Sequence, residues 1–178
     1  SKFIFTIRLK ISSEESTNLK LDSEIQNNFS KIIILEYSKL YKTILENIFE
    51  SLNVNYSFYT ELNEMYFKID EYKDNEKIIL FANSTMIKND INSFANNILN
   101  SYKSIVGIIP IFDSVHMITS LSKSTIKNLY SYITKPFGVV EVIESIKNLI
   151  NKQRFERKAE DKFITCLPPL GPLQILVV

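Results

Sequence analysis

Tryptophan is absent from this 178-residue chain, glycine occurs three times and cysteine once. The single thiol, Cys166, excludes an internal disulfide, and beside an apolar tail it is expected to be an inert cysteine. There is no Gly-rich phosphate loop, no Cys/His spacing of a metal site and no Ser/His/Asp set. No apolar run approaches the roughly 18 residues that span a bilayer. The opening Ser1-Lys-Phe-Ile-Phe-Thr-Ile-Arg lacks the layout of a signal peptide and has no initiator Met, which suggests an excised piece of a larger protein. The formal net charge of +1 leaves no bulk electrostatic footprint for nucleic acid or an anionic membrane, so neither is expected as a partner. What is present is ordinary for a globular domain: 45% hydrophobic and 23% charged residues, enough to build a core.

The apolar pattern alternates between two periods. Phe3, Phe5, Ile7, Leu9 and Ile11 fall on one face of a strand, and residues 12–30, rich in Ser, Glu and Asn, read as a linker. From Lys31 the chain repeats strand and helix. Ile32 to Leu35, Val54 to Tyr59, Ile78 to Ala82, Ile105 to Ile111 and Tyr130 to Thr134 read as strands. Helical stripes lie between them, at Leu40 to Leu52, Leu62 to Ile69 and Ile91 to Tyr102, with Asp113 to Asn128 more weakly patterned. Val139, Val142, Ile143, Ile146, Leu149 and Ile150 close the unit near Gln153 with an amphipathic helix. Five β-α units predict an α/β fold, a doubly wound, flavodoxin-like parallel sheet of strand order 2-1-3-4-5 over residues 31–153. Residues 154–172, with Leu167-Pro-Pro-Leu-Gly-Pro, read as a second linker, and residues 173–178 as one more apolar strand.

Thr134-Lys135-Pro136-Phe137 follows the fifth strand of this five-unit chain, and in that position it resembles the receiver domains of response regulators. The flanks are similar to neighbouring pieces of such systems. Residues 1–11 look like the last strand of a histidine kinase ATP-binding domain, and residues 173–178 look like the first strand of a second receiver. The resemblance therefore implies a hybrid histidine kinase as the parent. The fragment itself is expected not to be an enzyme. Its expected partners are the kinase core and the downstream receiver of the same polypeptide, with a homodimer also allowed. The expected location is cytoplasmic, whether or not the parent kinase is membrane-anchored.

Phosphoryl acceptance in that family needs a carboxylate nucleophile after strand three and an acidic pair after strand one to hold Mg²⁺. It also needs a hydroxyl after strand four and a lysine after strand five. This chain departs from the pattern. Glu36 keeps one acid, but Tyr37 stands in for the other. Ala82 falls at the acceptor position, with Asn83 as the reading one residue on, and Ile109 falls at the hydroxyl position. Only Lys135 and one acid remain, so a degenerate receiver with lost or very weak Mg²⁺ binding and no other cofactor is expected. Glu36 is expected to pair with Lys135, or else Lys135 is solvated. Asp113 is expected to cap the next helix, with a position in the pocket as its alternative. Tyr132 matches the family's switch aromatic, with plain packing as the simpler role. His116, on a helix without tuning neighbours, reads as a surface histidine.

The reading that follows is a phosphorylation-independent interaction module that docks through its last helix and fifth strand. The alternative is a receiver that accepts phosphate on an unorthodox acid, Glu36 or Asp113. A third reading is a ligand sensor with a pocket made apolar by Ala82 and Ile109.

Overall fold

The computed structural model describes residues 21–72, 76–87, 90–119 and 131–160. The flanking strands 1–11 and 173–178, most of the linkers, Cys166 and Tyr130 lie outside them. The described elements are α1 (Ser23–Gln26), β1 (Lys31–Leu35), α2 (Lys39–Ser51), β2 (Tyr56–Tyr59), α3 (Leu62–Asp70), β3 (Ile78–Asn83), a 3₁₀ turn at Ser84–Met86, α4 (Ile91–Ser101), β4 (Ile105–Phe112), α5 (Val115–Thr119), β5 (Ile133–Thr134) and α6 (Val139–Glu160). None of the described helices is long and apolar enough to cross a membrane.

The five strands form one parallel sheet in the order β2-β1-β3-β4-β5. This is the flavodoxin-like arrangement that the alternating periods predict. All six residues of β3 are buried, as expected of a central strand covered on both faces. Period-two alternation divides the strands between two cores. Ile32, Ile34, Ile79, Phe81, Ile109, Ile111 and Ile133 share one cluster with Leu45 and Phe49 of α2 and Val142, Ile146 and Leu149 of α6. Ile33, Leu35, Leu80, Ala82, Ile108 and Phe112 share the other with Met65 of α3 and Phe94 and Ile98 of α4. At Gly107 an added Cβ would lie 2.6 Å from Leu149 Cδ1, so a side chain there would require Leu149 of α6 to move.

Several boundaries differ from those read in the sequence: β2 begins at Tyr56, α6 runs on past Gln153 to Glu160, and two further differences shape the unit. Residues 21–30 belong to the packed unit: Leu21, Ile25 and Phe29, spaced four apart, are buried in the α2–α6 cluster. The polar residues between them disguise a one-sided apolar stripe. Strand β4 runs on through Pro110 to Phe112. The described part of β5 pairs only with Ile111 and Phe112, so Pro110, which has no N–H to give, lies in a stretch paired on the β3 side alone.

Candidate functional site

The site follows from continuing each strand's alternation one step past its apolar run. Ile32 and Ile34 face the α2–α6 side, and so does the next residue in phase, Glu36. The same step leads from Ile79 and Phe81 to Asn83, from Ile109 and Ile111 to Asp113, and from Ile133 to Lys135. The parallel register aligns the strand ends, with Leu35 beside Ala82, Asn83 beside Ile111 and Phe112 beside Thr134. Four polar side chains from four strands therefore converge at the carboxyl edge of the sheet, where open α/β sheets place their ligand sites.

They form one bonded cluster. The Lys135 ammonium lies 2.8 Å from Glu36 Oε2 and 2.7 Å from Asp113 Oδ1. The Asn83 amide donates through Nδ2 to the same two oxygens, at 3.0 Å and 3.3 Å. Glu36 Oε1 accepts from the backbone N–H of Ser38 at 2.9 Å. Asn83 Oδ1 accepts from both the N–H and the hydroxyl of Thr85. The Glu36 side chain is fully buried and that of Lys135 nearly so, while the side chain of Asp113 keeps 30% of its surface in solvent. Burial alone would depress the ammonium's pKa. The hydrogen bonds it donates to Asp113 and Glu36, together with their charges, overcome that and hold it above the ordinary lysine range. Lys135 is a fixed cation here. The Tyr41 and Tyr37 rings lie 4.4 Å and 5.4 Å from Nζ. Tyr41 also packs on Phe137, with ring centroids 5.2 Å apart, and the Lys135–Pro136 bond before it is cis.

Two positions read from the sequence are corrected. Ala82 does not reach the cluster: it points to the α3–α4 core and is fully buried there, so the side chain that enters from β3 is Asn83, one residue on. Ile109 is likewise core, on the opposite face of the sheet from Ala82, so those two residues line no common pocket. Because β4 extends to Phe112, the side chain at its end is Asp113, whose carboxylate bonds Lys135 rather than acting only as a helix cap. Tyr37 is 56% exposed beside the cluster. Tyr132 is 42% exposed and meets Phe112 edge-on with centroids 6.0 Å apart, on the side away from Lys135. His116 is exposed on α5.

The donor set does not match what a divalent cation requires. A hard cation wants six or more oxygens around it. Here two carboxylates converge, and the space between them is taken by an ammonium and a carboxamide N–H₂, both donors. Among the described residues no three His, Cys, Asp or Glu side chains come together.

No family model matches the chain, and no curated protein matches it in sequence. Its fold is that of solved receiver domains. The signal receiver domain of an HD domain-containing protein from Pseudomonas fluorescens Pf-5 is similar with a TM-score of 0.57 at 13% identity, over 74% of this chain and 93% of that one. A response regulator receiver domain protein from Clostridium thermocellum gives a TM-score of 0.56 at 13% identity, over 72% and 99%. A response regulator from Burkholderia pseudomallei, solved with a phosphorylated aspartic acid, a calcium ion and citrate, gives 0.50 at 11%, over 74% and 75%.

Proposed function

We propose that this chain is a degenerate receiver that serves a two-component phosphorelay as a docking module, without being phosphorylated itself. The observation that carries this reading is the closure of the site upon itself. The Burkholderia neighbour carries a phosphorylated aspartic acid and a calcium ion, whereas the side chain that enters this cluster from β3 is an amide, Asn83, which cannot form an acyl phosphate. The cation that would neutralise a phosphoryl group, Lys135, is already bonded to Glu36 and Asp113. Asp113 thus plays the part of an internal anion, tying the end of β4 to the end of β5. The donor set does not suit Mg²⁺.

The module's setting in this reading is the cytoplasmic part of a hybrid histidine kinase, whether or not that kinase is membrane-anchored, with the kinase core and a following receiver as the partners. The docking face is centred on the outer side of α6, where Val140 and Glu144 are exposed, with Tyr132 nearby in sequence to β5. Val140→Asp with Glu144→Lys should leave folding intact, since exposed changes usually cost under about 0.5 kcal/mol. The pair should change the parent kinase's autophosphorylation or its transfer to the next receiver. If removing residues 31–153 with the linkers rejoined leaves both rates untouched, the unit is a spacer and the docking reading is wrong.

One observation favours a second reading. Asp113 is a carboxylate that solvent reaches, bonded to a lysine, whereas Glu36 is sealed. If any residue here accepts phosphate, it is Asp113. Incubation with acetyl phosphate and Mg²⁺ followed by intact-mass measurement separates the two readings: an unchanged mass supports the docking module, and a gain of one phosphoryl group supports the acceptor.

A further inference from the structure

We infer that residues 21–30 form a clamp that couples the segment leading into the unit to α6, the helix by which the chain leaves it. The five β-α units do not need this segment, yet it is built onto them at the amino edge of the sheet, opposite the Lys135 cluster. Its apolar side is buried: Leu21, Ile25 and Phe29 are all more than nine-tenths withdrawn from solvent, in the same cluster as Ile146, Leu149 and Ile150 of α6. Its polar side is bonded at both ends. Asp22 lies 3.1 Å from Lys147 Nζ, which places the start of the segment against the third turn of α6. Ser30 exchanges bonds with Lys77, donating from its N–H at 2.7 Å and accepting from the Lys77 N–H at 3.2 Å, which seats the end of the segment beside the start of β3. Gln26 Nε2 reaches the Asn53 carbonyl in the turn before β2.

The two connections of the unit are therefore joined to each other through α1 and not only through the sheet. An exposed ion pair is a weak tie, so the apolar contacts hold the clamp and Asp22–Lys147 sets its alignment. Anything that pulls the incoming segment off its seat uncovers one side of α6 and leaves the polar cluster at the far edge in place. The clamp is thus a route by which a displacement upstream reaches α6 directly.

Amide hydrogen exchange on the full 178-residue chain tests this. Ile25→Ser should reduce protection of residues 143–152 at least tenfold while residues 78–83 and 105–112 keep theirs. The milder Asp22→Lys should loosen residues 21–30 and 143–152 together, by a smaller factor of about two to five, and adding Lys147→Asp should restore both. Unchanged protection of α6 in both variants would overturn the inference, as would equal loss throughout the sheet or loosening of residues 21–30 alone.

Discussion

Lys135 and Glu36 come from the ends of strands that are not neighbours in the sheet, yet their Nζ and Oε2 lie 2.8 Å apart and both side chains are withdrawn from solvent. Such a pair is weak evidence for stability relative to an apolar replacement, but breaking it by removing one partner is costly. Lys135→Met leaves a buried carboxylate facing Asp113 and should destabilise by about 3–5 kcal/mol. Glu36→Gln keeps an oxygen for the Ser38 N–H and should cost less. Joined in one chain, the two should destabilise by less than their sum, with a coupling of about 1–3 kcal/mol. Urea unfolding of the four proteins measures it, and strict additivity would mean that the pair does not act as a unit.

Asn83→Asp adds a third carboxylate to Glu36 and Asp113 and gives the cluster a reason to bind a divalent cation. The thermal midpoint of that variant should rise with Mg²⁺, by the equivalent of about 1.4 kcal/mol at tenfold excess over Kd, while the wild-type midpoint stays put. A wild-type chain stabilised equally by Mg²⁺ would show that the ammonium does not stand in for the metal. Ala82→Asp, by contrast, buries a carboxylate in the α3–α4 core and should unfold the protein without conferring any Mg²⁺ response.

How far the site was legible turns on Ala82 and Asn83. Strand β3 is buried on both faces, so its composition does not say which of two adjacent residues faces the ligand edge. The answer lies in phase: counting by twos from Ile79 through Phe81 reaches Asn83, and the same count reaches Glu36 and Asp113. Asp113 was obscured because the apolar run reads as ending at Ile111, whereas β4 takes in Phe112 and so presents Asp113 at its end. The five β-α units, the strand order and the role of Lys135 as the strand-five cation needed no such phase, because each rests on a run or a motif that only one register accommodates. Lys147 had no legible partner, since Asp22 lies in a segment whose polarity suggested a linker.

The alkaline limb of stability should be steep. Lys135 has a folded pKa above its unfolded value of about 10.4, so its contribution is complete below that pH and is lost as pH rises through the folded value. Burial, which works against the lysine's charge, raises the phenols of Tyr59, Tyr66 and Tyr102, with further help from Tyr72 at Tyr59 and from Asp70 at Tyr102. A phenol that holds its proton longer when folded also favours unfolding once pH exceeds about 10. Unfolding free energies measured from pH 9 to 11.5 should fall more steeply for the wild type than for Lys135→Met. Parallel curves would remove Lys135 from the account.

Gly107→Ala should destabilise by about 1–3 kcal/mol, because the new methyl group would lie 2.6–2.7 Å from both terminal carbons of the fully buried Leu149. Leu149→Val in the same chain should recover part of that loss. Chemical denaturation reads both effects, and a neutral Gly107→Ala would mean that α6 shifts freely against β4.

The sheet order has a kinetic consequence. Glu36 and Asn83, which meet in the site, are separated by 47 positions in the chain, and β1 pairs with β3 only after β2 and two helices have been laid down between them. No ladder in a parallel sheet can zip from a hairpin turn, so each pairing waits on closure of a loop that contains a helix. Such topologies fold more slowly than helical bundles of similar stability, because distant segments must be brought together before their contacts reward it. During synthesis, β1 and β2 therefore emerge with one flank of β1 still uncovered until Ile78–Asn83 arrives. The all-apolar Ile32-Ile-Ile-Leu35 run is the stretch most exposed to misassociation in that interval.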